Sequence, residues 1–426
     1  MRATATGRRI SWAATKLVTG LVLSTGLLIG ATGTVGLVAT SAPATASNTP
    51  ITIAYITSVT GEGASEDGTS PGAFKARIDL QNAEGGVNGH KIIPLIIDDQ
   101  TSPTAIATAV QEADSKAFAI VSQSPLFFLA AKYPQQAGVP VTGSYSDGPE
   151  WGEQPYTNMF AADVGSLNPK YPVTTLAGNF LKQHGAKVLG TYGYGISPSS
   201  SRAAIQTADS FKHAGGKVGV LDTTVPFGGV DFTSEALSAK QNHVDALAPE
   251  MDNNSNFALA VALQQAGVKS KGLFATGYQP DVIHSPSWSA LQGDYFYSLF
   301  RPWSLPDAAT KQMQAAMEKY DGYSKSDFPS FSEYEAWLGA DLMIKGLQLA
   351  GPNPSRAGVI TALRGVKSYN ANGLLPQTLD FATDFGHDDA KSCSWMMQAG
   401  KSGFTAVSSQ PFCGGDIPGT ATASGS

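Results

Sequence analysis

Residues 82–99 read NAEGGVNGHKIIPLIIDD and contain a complete transition from helix to strand. The pair Gly85–Gly86 ends the preceding helical stretch, because glycine readily adopts the left-handed conformation that closes a helix. The apolar run Lys91–Ile97 then predicts a buried strand, and Asp98–Asp99 place two carboxylates at its C-terminal edge. Together with the β-branched segment Ile51–Ile56 before it, this stretch predicts a βαβ unit that opens the domain.

Strands and helices continue to alternate along the chain at the spacing typical of parallel sheets. A first series runs to residue 142 and a second from residue 173 to residue 275, and the last third is more helical before an irregular tail that contains the cysteines. A chain of 426 residues is too long for one compact core. The alternation therefore predicts two α/β units.

Within the first series, the sequence predicts helices at 103–115 and 126–137 and strands at 117–121 and 139–142.

The N-terminus has the pattern of a secretory signal peptide. Four basic residues precede Leu17–Val38, an apolar stretch without acidic residues. Ala44–Ala46 offers the small residues of a cleavage site, which predicts a mature chain starting near Ser47. An uncleaved membrane anchor remains an alternative, and Arg8–Arg9 also permits twin-arginine export.

Charge and cysteine content exclude several classes of protein. Without residues 1–46 the chain keeps 24 basic and 34 acidic residues, a formal charge of −10, so nucleic acid is excluded as a partner. Cys393 and Cys413 fit neither a zinc cluster nor a redox C-x-x-C pair. In an oxidising compartment they predict one disulfide, and two buried free thiols are the alternative.

No catalytic or metal-binding pattern occurs in the context that it needs. Gly68–Gly72 matches the nucleophile elbow G-x-S-x-G, but a polar loop precedes its serine and proline follows directly. Gly193 and Gly195 follow a strand but lack the G-x-G-x-x-G of a dinucleotide site. The histidines are scattered, and the acidic stretch 380–388 misses the EF-hand spacing. The sequence predicts no enzyme, no cofactor and no metal.

Polar residues at the C-terminal ends of predicted strands are the remaining site candidates, because open α/β sheets bind ligands there. The candidates are Ser122, Gln123 and Ser124 after one strand and Tyr145, Ser146 and Asp147 after the next. The free amides of the helix predicted after Ser124 suit a ligand carboxylate, although N-capping by Ser124 explains the same pattern. The second group supplies hydroxyls, an aromatic ring and a carboxylate for an ammonium, and an ordinary turn is the alternative.

Four segments carry a family resemblance: Ile53–Ile56 with the glycine-rich loop after it, Asn82–Ile92, Asp98–Pro103 and Gly138–Val141. The second is similar to a family turn, N-x-x-GG-(I/V)-x-G-x-(K/R)-(I/L), and the third to a D-D-x-x-x-P strand end. Over almost the whole chain after residue 46, the sequence resembles the branched-chain amino acid type of periplasmic binding protein, the receptor of an ABC importer.

The resemblance implies two Rossmann-like α/β lobes with parallel-core sheets, joined by a three-segment hinge, with a ligand cleft between them. It places the crossings near 161–168, 297–303 and 372–380. The implied divisions are a signal peptide (1–46), a linker (47–50), lobe 1 (51–163 and 300–374), lobe 2 (164–299), lobe 2 or a hinge tail with the cysteine pair (375–417), and a disordered tail (418–426).

By position, the resemblance gives Ser124 the role of the ligand-carboxylate serine and places Tyr145 and Asp147 on a segment with backbone and hydroxyl contacts. It implies an extracytoplasmic monomer that binds an amino acid or similar small polar metabolite by hinge closure and delivers it to a membrane ABC permease. A ligand-sensing subunit with the same fold and a secreted enzyme are the alternatives.

The second lobe departs from the family pattern. Ile196 stands where the family often has a ligand-stacking tyrosine, with Tyr192 and Tyr194 nearby as substitutes. Asp252 and Tyr278 fall near the family's aromatic and ammonium-binding acidic positions respectively, so the two chemistries are exchanged. Tyr194, Asp252 and Tyr278 are therefore the predicted ligand contacts of this lobe.

Overall fold

The computed structural model describes residues 49–143, 148–162, 172–384 and 391–421. The predicted signal peptide with its cleavage site, and the candidate residues Tyr145, Ser146 and Asp147, lie outside these residues. Most of the first predicted crossing, 161–168, lies outside them as well. None of the described helices combines the length and the apolar character that a membrane span requires.

Five parallel strands form the first sheet, in the order β2-β1-β3-β4-β5. They are β1 (Ile51–Thr57), β2 (Ile92–Asp98), β3 (Ala119–Gln123), β4 (Val141–Gly143) and β5 (Met159–Ala161). The apolar, β-branched β1 pairs with β2 and β3 and is buried along most of its length, as a continuous apolar strand requires. The sequence did not predict β5, because three residues are too few to show a period.

Eight strands form the second sheet, in the order β12-β11-β10-β9-β8-β6-β7, with β13 paired to β11. They are β6 (Val188–Tyr194), β7 (Lys217–Val225), β8 (Ala246–Glu250), β9 (Lys271–Phe274), β10 (Tyr295–Ser298), β11 (Lys391–Gly400), β12 (Gly403–Ala406) and β13 (Phe412–Gly415). Strands β6 to β10 run parallel, whereas β11 is antiparallel to each of its partners.

Fourteen helices are present in the described residues, together with 3-10 turns at Phe127–Leu129, Pro149–Gly152 and Ala371–Gly373. They are α1 (Ala64–Asp67), α2 (Ser70–Ala83), α3 (Ala105–Lys116), α4 (Lys132–Ala137), α5 (Leu176–Gln183), α6 (Pro198–His213), α7 (Thr233–Gln241), α8 (Asn253–Gln265), α9 (Pro280–Ile283), α10 (Trp288–Leu291), α11 (Ala308–Tyr320), α12 (Phe331–Ala350), α13 (Arg356–Arg364) and α14 (Phe381–Asp384). Helices α11, α12 and α13 lie in the last third of the chain, which the sequence predicts to be more helical.

Both faces of each sheet are covered by apolar packing. In β1, Ile53 and Tyr55 join a core with α2 and α12, whereas Ala54 and Ile56 join a core with α3 on the opposite face. This alternation is the two-residue period of a strand. The second sheet likewise lies between two cores of its own. The predicted α/β class, with two lobes and parallel-core sheets, is confirmed.

The C-terminal tail is ordered sheet, so the prediction of an irregular tail is wrong. Strands β11, β12 and β13 pair antiparallel, and Cys393 lies directly opposite Cys413. The two cysteines form the disulfide, with an S–S distance of 2.03 Å. Pattern reading missed the pairing of β11 with β10 because these two strands are distant in sequence and no local turn signal links them.

After β10 the chain returns to the first lobe. Phe300 and helices α11, α12 and α13 contribute to the same core as β1. Leu379 and Phe381 also belong to that core, although they lie in the segment 375–417 assigned to lobe 2 or a hinge tail. Residues 391–415, in contrast, form strands of the second sheet. The precise domain boundaries stay predictions.

Candidate functional site

Three strands of the first sheet end side by side. Thr57 of β1 lies opposite both Asp98 of β2 and Gln123 of β3. Because parallel strands present their carboxyl ends at one edge of a sheet, the residues that follow these strands gather at that edge. Ser58 and Asp99 are among them, and both are buried.

Asp99 has one carboxylate oxygen bonded and one free. Its Oδ1 accepts hydrogen bonds from Ser58 Oγ at 2.7 Å and from the Thr101 amide at 2.8 Å. Its Oδ2 is buried and has no hydrogen-bond partner among the described residues. The residue has no exposed surface. An acceptor buried without a donor is costly, so this atom is suited to receive a donor from outside the chain.

Helix α12 approaches the same edge very closely. A Cβ on Gly339 would lie 2.7 Å from Val121 Cγ1, so only glycine allows this approach to β3. Thr142 Oγ1 donates to the Gly339 carbonyl at 2.7 Å and ties the helix to β4. A capping box of Ser330 and Glu333 fixes where the helix begins. The first turns of α12 are thereby held over the strand ends.

Two side chains of α12, Ser332 and Glu335, form hydrogen bonds with polar side chains of the first lobe. Gln123 Nε2 donates to the Glu335 carboxylate, and Ser332 Oγ donates to Asp67 Oδ1 of α1 at 2.8 Å. Gln123 Oε1 is buried and has no hydrogen-bond partner in the described part of the chain. The edge therefore holds two unsatisfied acceptors, Gln123 Oε1 and Asp99 Oδ2.

Two carboxyl groups of α1, those of Glu66 and Asp67, favour the neutral form. Burial raises the pKa of Asp67 from 3.8 to about 8, hydrogen bonds from Ser332 and Gln123 limit the rise, and the charge of Asp99 adds to it. Burial also raises the pKa of Glu66 well above its usual value, and the charges of Asp67 and Asp252 add to this effect. Carboxyl groups with raised pKa values often mark functional sites.

The second lobe contributes a connected polar group. Tyr194, at the end of β6, donates its hydroxyl to the Asp252 carboxylate and lies 2.6 Å from Ser255 Oγ. Asp252 also caps α8 by accepting from the Asn254 and Ser255 amides. Burial and the neighbouring charge of Asp252 raise the pKa of Tyr194, so its hydroxyl remains a donor. The Tyr194 ring packs 4.9 Å from the Phe227 ring, between centroids.

The two lobes touch around this gap. Helix α1 of the first lobe contacts α8 of the second, and a Cβ on Gly228 would lie 3.0 Å from Glu62 Oε2. At another point Tyr278 of the second lobe stacks on Phe328 of the first, with ring centroids 5.0 Å apart and planes inclined by 25°. We name Asp99 and Gln123 the wall of the first lobe, Tyr194 and Asp252 the wall of the second lobe, and the region between them the gap. The charge of Asp252 acts on Glu66 of α1, which relates the second wall to the first lobe.

The structure brings several predicted site residues to these walls. Ser122, Gln123 and Ser124 are all buried at the end of β3, and Tyr194 bonds directly to Asp252. Their roles in ligand binding stay predictions. Tyr145, Ser146 and Asp147 lie outside the described residues.

The helix predicted at 126–137 is wrong. A 3-10 turn at Phe127–Leu129 and the short α4 replace it. Ser124 Oγ accepts from the Leu126 amide at 3.2 Å, and Ser122 Oγ accepts from the Ser124 amide at 3.4 Å. The local hydroxyls therefore close a tight turn, and no long helix aims its free amides at the gap here. Pro134 lies inside the predicted helix and opposes its continuation.

Tyr278 lies in an aromatic cluster of the second lobe. Its ring contacts Phe328 and Phe404, and the residue is only 4% exposed. Burial raises the pKa of its hydroxyl. Tyr192, the alternative to Tyr194, is fully buried in the lobe core. Of the two tyrosines, Tyr194 is the one that reaches the polar group at the gap.

Sequence reasoning missed Asp67, Ser332 and Glu335 as site residues. Asp67 belongs to a stretch assigned to a polar loop, and the other two lie in a helix that packing alone explains. A usable signal was present in α12, where Glu333 and Glu335 occur within an almost wholly apolar helix. Buried carboxylates in such a setting require a specific partner.

The described residues contain no cluster of three or more His, Cys, Asp or Glu side chains arranged to hold a metal ion.

Solved structures share this architecture at low sequence identity. A fatty acid ABC transporter substrate-binding protein from Thermomonospora curvata matches with a TM-score of 0.72 and 18% identity, covering 85% of this chain and 92% of its own. A branched-chain amino acid ABC transporter protein from Thermus thermophilus with bound valine has a TM-score of 0.72 and 15% identity, covering 86% and 97%. An ABC transporter solute-binding protein from R. palustris in complex with benzoate has a TM-score of 0.67 and 14% identity, covering 85% and 97%.

No curated protein matches the sequence. The family model described as "Periplasmic binding protein", however, matches residues 50–404, which span both lobes and the strands of both sheets up to β12. The chain belongs to the periplasmic binding protein family.

Proposed function

We propose that this protein is the extracytoplasmic solute-binding component of an ABC importer, and that it holds one small polar solute between its two lobes. The observation that carries the proposal is the pair of facing polar walls. Asp99 and Gln123 offer free acceptors on one side, and Tyr194 with Asp252 forms the other. Family membership supports the proposal, as do structural neighbours that bind valine and benzoate.

Binding is proposed to work by hinge closure. Solute binds first to the first lobe, where the buried acceptors lack donors, and contacts from the second lobe then favour the closed state. Interlobe contacts such as Tyr278 with Phe328 add to that state. A ligand shifts the equilibrium between the open and closed arrangements only as far as it binds the closed one more tightly. Contacts with both walls are made only in the closed arrangement, so both walls contribute to the shift.

The proposal extends to the cellular setting. Residues 1–46 direct export and are cleaved, the mature protein acts as a monomer outside the cytoplasm, and a membrane permease receives the solute. Mass spectrometry of the secreted protein should give an N-terminus near Ser47. A retained N-terminal segment would instead support the anchored form.

A thermal-shift screen tests the central step, because a ligand that binds only the folded state raises the melting temperature by mass action. The screen should contain amino acids, amides, small carboxylates and small amines. We expect at least one compound to raise the melting temperature in a concentration-dependent way, with one-to-one binding in calorimetry. If no compound of the four classes raises the melting temperature, the proposed function is contradicted.

A further inference from the structure

The gap between the lobes is lined by acidic groups. The charges of Asp67 and Asp99 act on each other, and those of Asp67 and Asp252 both act on Glu66. Glu335 lies beside Gln123 in the same region. Several carboxyl groups from both lobes thus lie in one poorly solvated space. Glu66 and Asp67 favour the neutral form there, and a bound cation would favour their ionised form.

Four of these carboxyl groups, Glu66, Asp67, Asp99 and Asp252, have no basic partner among the ion pairs of the described residues. The ion pairs present there are Arg77–Asp341, Lys116–Glu112, Lys212–Asp209, Arg301–Asp307 and Arg356–Asp114. All of them use other carboxylates.

The two unsatisfied atoms give an independent indication of the missing partner. Asp99 Oδ2 and Gln123 Oε1 are both acceptors, and their residues are 0% and 2% exposed. The amide orientation of Gln123 follows from its neighbour, because turning it over would place its oxygen against the Glu335 carboxylate. Both atoms therefore require N–H or O–H donors, and a ligand carboxylate provides none.

Two of the usual means of binding a carboxylate are occupied at these walls. In the turn after β3 the Leu126 amide donates to Ser124 Oγ, so this amide is not available to a ligand. The N-terminus of α8 is occupied by the Asp252 carboxylate. A ligand carboxylate would thus add a negative charge beside Asp99 and Asp252 without gaining a cation or a free helix end.

Resting on the proposed function, we propose that the solute is a small cationic amine or guanidine that needs no carboxylate. Its N–H groups donate to Asp99 Oδ2 and Gln123 Oε1, and its positive charge offsets the acidic groups of both lobes. The solute class thus differs from the valine and benzoate bound by the structural neighbours, both of which carry a carboxylate.

Calorimetry with three matched pairs tests the inference on the purified protein. The pairs are cadaverine with lysine, agmatine with arginine, and 3-methylbutylamine with leucine, and in each pair the two molecules differ only by the carboxylate. We expect at least one amine to bind, and to bind at least tenfold more tightly than its amino acid. Equal or tighter binding of the amino acid would overturn the inference, as would failure of all three amines.

The outcomes separate this inference from the function on which it rests. If no amine binds but the wider screen yields a ligand that carries a carboxylate, the inference fails and the solute-binding function stands. If no compound of any class binds, both fail.

Two variants test which residues cause the preference for the amine over its amino acid. Asp99→Asn removes a charge and introduces a donor, so the preference for the amine over its amino acid should fall at least tenfold. Glu66→Gln should reduce the preference about threefold, and it keeps the proposal testable if Asp99→Asn does not fold, because no hydrogen bond of the fold depends on the Glu66 side chain among the described contacts. The exposed Glu84→Gln is the matched control and should leave the preference unchanged. An unchanged preference in the folded variants would overturn the assignment.

Discussion

The two lobes present their polar groups to the gap in different states. In the second lobe Tyr194, Asp252 and Ser255 are bonded to one another. In the first lobe Asp99 and Gln123 keep buried acceptors without a donor. Groups that are already bonded hold their geometry without ligand, whereas unsatisfied groups gain most when a ligand arrives. The difference indicates that the first lobe supplies most of the affinity and that the second supplies a preformed wall.

Gln123→Ala should produce the largest effect, because it removes a ligand acceptor and leaves Glu335 without its donor. We expect solute affinity to fall about 100-fold, equivalent to about 2.7 kcal/mol. Calorimetry measures the loss, and the exposed Gln241→Ala serves as control. An affinity within threefold of that of the unmodified protein would contradict the conclusion that the first lobe supplies most of the affinity.

Asp67→Asn tests whether the first lobe holds a neutral carboxyl group. Because the pKa of Asp67 in the folded protein is about 8, folding takes up a proton between about pH 4 and pH 8. Its contribution to the free energy of unfolding therefore falls as pH rises through this window. Relative to the unmodified protein, the variant should gain between about 3 and 4 kcal/mol from pH 5 to pH 8.

Urea denaturation at the two pH values measures this gain. The variant and the unmodified protein differ in their free energy of unfolding. If this difference is the same at both pH values, Asp67 is ionised throughout, as an ordinary surface aspartate is.

Asp252→Asn should have a smaller effect on binding than Gln123→Ala. The amide oxygen can keep the α8 cap, which uses Oδ1, but an NH2 group replaces Oδ2, the atom that accepts from Tyr194, and the charge is lost. We expect about a tenfold loss of affinity, or about 1.4 kcal/mol. Asp209→Asn, on the outer surface of α6, makes the same chemical change away from the gap and should bind normally. A loss larger than that of Gln123→Ala would reverse the proposed roles of the lobes.

Phe328→Ala should have the smallest effect on affinity, about threefold. The ring stacks on Tyr278 across the lobes, so its removal destabilises the closed state and leaves both polar walls intact. Small-angle scattering of the ligand-free variant should show a larger radius of gyration. Leu237→Ala, an exposed residue of α7, is the control. An unchanged radius would indicate that this contact does not hold the lobes together.

Most of the fold could be predicted because its signals are local. β1 and β2 appear as apolar runs, and Gly85–Gly86 ends α2 as expected. Strands β11 and β12 form a hairpin closed between Gly400 and Gly403, a local turn signal that pattern reading missed. The pairing of β11 with β10 and β13 could not be predicted, since it joins segments that are distant in sequence. The helix expected at 126–137 failed because proline and turn hydroxyls outweigh its apolar pattern.

The site was less predictable than the fold. Strand-end residues such as Gln123 and Tyr194 could be chosen, since strand ends are where α/β sheets bind ligands. Asp67 and Ser332 could not be paired, because 265 positions separate them and only the packing of α12 on the first sheet brings them together. Which acceptors remain unsatisfied depends on the side-chain contacts of the folded chain.

A crystal structure with the solute found by screening tests the central claim most directly. We expect the solute between the lobes, with its donors within hydrogen-bond distance of Asp99 Oδ2 and Gln123 Oε1 and its opposite side against Tyr194 or Asp252. A solute bound to one lobe alone, or at a position away from both walls, would contradict the proposed binding mode.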